Sequence, residues 1–139
     1  MAGDTVTRLD RVEPHMNLVD LPGGDPRDTT TPAAMARTVA ALAVGDALTP
    51  ASRAILVGWM RGAVTGLNRL RAGIPEAWSP GDKTGTGHDG PTNDVAVAWP
   101  PGKAPLVVSA YYDRAGHTME ENSAVLAEVA RVVVAGVLG

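Results

Sequence analysis

Asp82-Lys83-Thr84-Gly85-Thr86-Gly87 is the stretch on which the reading of this chain turns. It sets one of only two lysines among two threonines and two glycines. An ammonium group, two hydroxyls and backbone amides that no side chain shields make a cationic, donor-rich edge that an anionic group can approach closely. A solvated turn carrying a stray lysine has the same composition. The rest of the chain must choose between the two.

Working outward, the 139 residues are one domain's worth of chain, long enough for a real core. Hydrophobic residues at 45% and charged residues at 19% mark a globular rather than a disordered chain. With no Phe and only 4% aromatics, the core must be built from small aliphatics. A net charge of −3 without a Lys/Arg cluster makes nucleic acid and anionic membrane poor partners. The absence of cysteine excludes a disulfide, a thiol nucleophile and a thiolate metal site. The polar start Met1-Ala2-Gly3-Asp4-Thr5 lacks the apolar region of a signal peptide, so no export address is expected. Val132 to Leu138, the longest apolar run, is too short to span a bilayer.

Residues 4–31 show little period and many turn formers, among them Pro14, Pro22, Gly23, Gly24 and Pro26. So long a loop in a compact domain is either functional or disordered. Pro14 disfavours the α region at Glu13 and predicts a bend there. Arg11 and Asp28 could close the loop as an ion pair. Thr31-Pro32 and Thr49-Pro50 each pair an N-cap hydroxyl with proline at the first helical position. The first helix is predicted to reach about Ala43, with Met35, Val39 and Leu42 on one stripe. The second is predicted to reach about Arg61, with Ile55, Trp59, Leu56 and Met60 facing inward. Residues 63–78 read as a loop with one helical turn near Asn68 to Ala72.

Beyond Trp78 the period changes from helix to strand. The 79–87 segment leads into the lysine stretch, residues 94–99 alternate, and 106–112 is rich in β-formers. Short turns between them predict three antiparallel strands. Thr118 and Glu121 have capping-box spacing for a last helix. Val125, Val129, Val132 and Gly136 read as its packed face, and the lack of charge after Arg131 predicts deeply packed final turns.

Taken together, Arg11-Val12-Glu13-Pro14-His15-Met16-Asn17, Arg27-Asp28-Thr29-Thr30-Thr31-Pro32 and Lys83-Thr84-Gly85-Thr86-Gly87 resemble the second half of a class A serine β-lactamase. Leu70-Arg71-Ala72-Gly73 and Asn93-Asp94-Val95-Ala96-Val97 match that family in the same order. A lone K-T-G is weak, but one that follows E-P-x-x-N by about 70 residues is specific. The resemblance covers roughly residues 4–135. It implies an α+β, α-β sandwich fragment of the β-lactamase/D,D-peptidase-like fold: an Ω-type loop, two helices, three antiparallel strands and a C-terminal helix. Residues 1–75 form the loop and helical part, and 76–139 the strands and last helix, of a single partial domain.

The resemblance also implies roles. Glu13 is the general base that takes a proton from the water attacking the acyl-enzyme ester, and Asn17 helps to hold that water. Lys83 supplies positive charge for the carboxylate of a β-lactam, the small-molecule partner, and the Thr84 and Thr86 hydroxyls bond it. Gly85 lets the backbone approach closely, and the Thr86 amide forms one side of an oxyanion hole. Arg69 matches a guanidinium that some members aim at the same carboxylate, with an ordinary surface arginine as the alternative, while Arg71 supports structure. Arg11 and Asp28 form the neck of the Ω loop. The family needs no metal and no cofactor, and His15, His88 and His117 lack metal spacing.

The family's S-x-x-K and S-D-N motifs do not occur: Ser52, Ser79, Ser109 and Ser123 have no lysine three residues on. The chain therefore reads as the carboxy-terminal half of such an enzyme, inactive without a nucleophile and partnered by a complementary amino-terminal half. Its sheet is expected to show an unpaired edge and a bare apolar face, which would make it poorly soluble alone. The alternative is a non-catalytic protein that binds β-lactams or carboxylates, or an interaction protein derived from the same fold. A D,D-peptidase relative shares K-T-G but is disfavoured by Glu13 and Asn17. Periplasmic or secreted placement is implied by the family alone.

Overall fold

A computed structural model describes residues 29–87, 91–114 and 116–139. The element order is α1 (Pro32–Ala43), α2 (Pro50–Gly62), α3 (Leu70–Gly73), a 3-10 turn at Glu76–Trp78, β1 (Gly81–Thr86), β2 (Thr92–Ala98), β3 (Leu106–Tyr112) and α4 (Met119–Leu138). The helix starts follow from their caps. Thr31 Oγ accepts from the Ala34 amide at 3.2 Å, and Thr49 Oγ from the Ser52 amide at 3.2 Å. At α4 the capping box is closed from both sides: the Glu121 amide donates to Thr118 Oγ, and the Thr118 amide to the Glu121 carboxylate. Those bonds hold the Glu121 carboxyl below its ordinary pKa. Each cap contributes about 1 kcal/mol.

The three strands form one antiparallel sheet in the order β1-β2-β3. Its register places Lys83 opposite Val95 and Thr84 opposite Asp94. Because side chains alternate across a strand, this register sorts them between two covers. On one face Val95 and Val97 meet Val39, Ala43 and Met60 of α1 and α2. On the other, Ala96, Ala98 and Val108 meet Leu70, Ile74 and Trp78 together with Ala130 and Val134 of α4. Full burial of Leu70, Val97 and Leu126 is worth about 1.5–3 kcal/mol each. Small residues let α3 lie close on α4. A Cβ at Gly73 would come within 2.3 Å of the Ala127 carbonyl oxygen, so only glycine fits.

The K-T-G stretch is a ladder-paired strand, as the change of period beyond Trp78 predicts, rather than a solvated turn. Four expectations need correction. In α2, Leu56 and Met60 face the core as expected, but Ile55 is 53% and Trp59 73% exposed. The apolar run is wider than the contact, and α2 meets the sheet on the Leu56–Met60 side only. In α4 the predicted stripe is the outward one. Val129 is 37% and Val132 65% exposed, while Leu126, Ala127, Ala130 and Val134 are buried. Small alanines pack there because α3 leaves no room for larger side chains. The last turns pack on one side only, through Val134 with Val133 and Val137, and Leu138 is exposed. Finally, neither face of the sheet is bare, since α1 and α2 cover one and α3 and α4 the other. β3 has no second strand partner among the described residues.

Candidate active site

Strand β1 carries the cationic edge, and pairing with β2 fixes its direction. Lys83 leaves the face covered by α1 and α2, with its ammonium donating to the Thr84 carbonyl at 2.6 Å. Asp82, Thr84 and Thr86 leave the opposite face. An open cleft of about 380 Å³ runs along the strand, walled by Lys83, Thr84, Gly85 and Asn93 over a floor that includes Met35 and Tyr111. Thr29 and Thr30 also line it, so the chain enters the described structure at the cleft wall. Glu13, Asn17, Arg11 and Asp28 lie outside the described residues. The structure thus brings together Lys83, Thr84 and Gly85 on one cleft, with Thr86 at the strand's end.

Arg69 approaches β1 from behind. It is only 3% exposed. Its guanidinium donates to the carbonyls of Asn93 at 2.9 Å and Gly85 at 3.4 Å, and to Thr86 Oγ at 2.8 Å. A hydroxyl that accepts from a guanidinium keeps its own proton to donate elsewhere. Thr86 is therefore polarised as a donor at the exposed end of β1. Thr84 Oγ lies 2.8 Å from Thr65 Oγ, which ties the segment before α3 to the same strand.

Arg71 holds the layer beneath. It donates to the carbonyls of Met60, Arg61 and Ala63 at the end of α2, and its Nε lies 2.9 Å from Asp82 Oδ1. Burial raises the Asp82 pKa, opposed by the charges of Arg71, Lys83 and Arg69. Asp94 is buried one strand over and accepts from the Leu70 amide at 3.1 Å. Burial, and then the nearby Asp82 charge, push its carboxyl up to about 7. Sequence reasoning gave neither aspartate a role. The available signal was an acidic residue inside each of two strands, a place where charge is tolerated only when partnered. Among the described residues, no group of three His, Cys, Asp or Glu could hold a metal ion. No helix there is long and apolar enough to cross a membrane.

Residues 2–137 match the profile of the β-lactamase enzyme family. The chain belongs to that family. Over 134 residues it is 48% identical to β-lactamase CTX-M-8 of Citrobacter amalonaticus, covering 96% of this chain and 45% of the relative. It is likewise 48% identical to β-lactamase OXY-2 of Klebsiella oxytoca, covering 46% of that protein. Among solved structures, an ancestral class A β-lactamase superposes with a TM-score of 0.86 at 57% identity, over 96% of this chain and 51% of that one. The last common ancestor of Gram-negative class A β-lactamases superposes with a TM-score of 0.87 at 55% identity, over 98% and 51%. This β-lactamase-family chain therefore spans about half the length of the relatives it matches. Its fold is a portion of the class A β-lactamase fold.

Proposed function

We propose that this chain contributes the carboxylate-binding wall and the deacylating glutamate of a class A serine β-lactamase, the β-lactam amide being opened through a serine acyl-enzyme. One observation carries the reading: Lys83, Thr84 and Gly85 line an open cleft whose end is polarised from behind by a buried arginine. A cation beside aligned donors at a partly desolvated edge suits a carboxylate. Glu13 serves as the base for deacylation and Asn17 holds its water. Lys83, Thr84 and Thr86 recognise the substrate carboxylate, while Arg11 and Asp28 hold the loop. Lacking S-x-x-K, the chain alone does not turn over substrate. A complementary amino-terminal half supplies the serine, the lysine and the S-D-N wall.

The test mixes the chain with an amino-terminal fragment of a class A relative and follows hydrolysis of a chromogenic cephalosporin. Turnover by the mixture and none by either part is the expected result. A folded mixture without turnover would sink the reading. A β-lactam that raises the melting temperature of the chain alone, with no turnover in any mixture, would instead mark a binding protein.

A further inference from the structure

Arg69 and Leu70 are gripped at two adjacent points by two adjacent residues of β2. The Arg69 guanidinium donates to the Asn93 carbonyl, and the Leu70 amide donates to the Asp94 carboxylate. The second bond is buried. Leu70 opens α3, a helix of four residues whose first position has no side-chain cap. Its amide is one of the donors that a helix start leaves unsatisfied, and Asp94 reaches across from the sheet to take it. Arg69 sits immediately before, with φ −107° and ψ −133°, neither helical nor extended, and its side chain reaches the end of β1. The backbone between the two grips leaves the guanidinium little freedom. Its other bonds, to Gly85 and Thr86, follow from where that backbone is held.

We propose that Asp94 is a positioning residue for the anion-binding end of β1: by holding the Leu70 amide it sets the Arg69 backbone, and through Arg69 it fixes the Gly85 carbonyl and the Thr86 hydroxyl. The proposal rests on the reading of that strand end as the carboxylate site, and it assigns Asp94 no contact with substrate. The groups that face Asp94 are Asp82 on β1 and Arg69 beside α3, with Arg71 charge-paired to Asp82 next to it. From α4 the neutral Asn122 reaches the same face of β2 through Thr92. Because two buried carboxyls share this layer, Asp94 keeps its proton well above the usual carboxylate range. Protonated or ionised, it still offers an oxygen to the Leu70 amide. Asparagine at this position keeps the acceptor and alanine loses it.

The experiment uses the chain labelled with 15N, without any β-lactam. In the native chain the Arg69 side-chain NH signals should be resolved and slowly exchanging, and the Leu70 amide shift should titrate with a midpoint near 7. Asp94→Asn should abolish that titration and keep the Arg69 signals. Asp94→Ala should broaden the Arg69 signals beyond detection and move the Gly85 and Thr86 amides. Val108→Ala, a core change on the far strand, should move none of them. A folded Asp94→Ala chain with unchanged Arg69, Gly85 and Thr86 signals would overturn the proposal. If Asp94→Ala does not fold, a Leu70 amide that ignores Asp94→Asn would overturn it equally. A chain that passes these tests and still yields no hydrolysis with its complementary half counts against the enzyme reading, not against the role of Asp94.

Discussion

The two faces of β1 differ in what they do with charge. Behind the strand, Asp82, Thr84 and Thr86 meet Arg71, Thr65 and Arg69 in fixed hydrogen bonds and an ion pair, with Asp82 and Arg69 buried and Thr65 and Thr86 at the exposed margin. In front, Lys83 stands exposed beside an open cleft, with Met35 and Val95 as its apolar neighbours. The first arrangement spends polar groups on holding one geometry. The second presents the Lys83 ammonium, held by one bond to the Thr84 carbonyl, at the cleft. The difference teaches that a recognition edge can be stiff in its backbone and adaptable in its charge, because alternation along a strand separates the two tasks.

Breaking the rear face should cost most. Arg71→Leu leaves Asp82 buried without its countercharge and also strips the carbonyls at the end of α2 of their donor. A loss of about 3–5 kcal/mol is expected in denaturant unfolding. A loss under 1 kcal/mol would show that the layer behind β1 is not held by charge. Next comes Gly66→Ala. A Cβ there would lie 1.9 Å from Asp82 Oδ2, so the loop must lift off the strand. Overpacking of this kind costs about 1–3 kcal/mol, readable as a lowered urea midpoint. Smallest is Lys83→Ala on the front face, where the side chain is exposed. Unfolding free energy should stay within about 0.5 kcal/mol of the native chain, while hydrolysis by the complemented mixture falls sharply. A large stability loss from Lys83→Ala would erase the contrast between the faces.

Acid and base should also separate the two. With its pKa raised to about 7 in the folded chain, Asp94 favours folding below its unfolded value. That contribution is lost as pH rises from about 4 through 7. The native chain should therefore lose melting temperature over that window relative to Asp94→Asn. Parallel curves would mean that Asp94 ionises normally.

The fold was legible wherever a local rule sufficed. Thr31-Pro32, Thr49-Pro50 and Thr118 with Glu121 start their helices where cap chemistry places them. Periodicity found three strands and their antiparallel order, with β2 beginning at Thr92 rather than Asp94. It failed on which apolar residues face in. Ile55 and Leu56 sit side by side in α2, as Val129 and Ala130 do in α4, and composition favours neither phase. Contact with the sheet and with α3 chose Leu56 and Ala130. The family motifs were legible because their spacing is distinctive, and residues 2–137 match the family throughout.

What the sequence determined by itself was therefore the set of elements, their order and the family. A cap, a turn or a motif is a short-range statement that needs no distant partner. What only the tertiary structure decided was the rear of the site: that Lys83 and Thr84 part to opposite faces, that Arg69 reaches Thr86 across 17 residues of chain, and that Asp94 holds Leu70 across 24. Those contacts depend on strand register and on the way α3 folds over β1. Buried charge is tolerated only where such long-range partners meet it, and no local stretch of sequence records them.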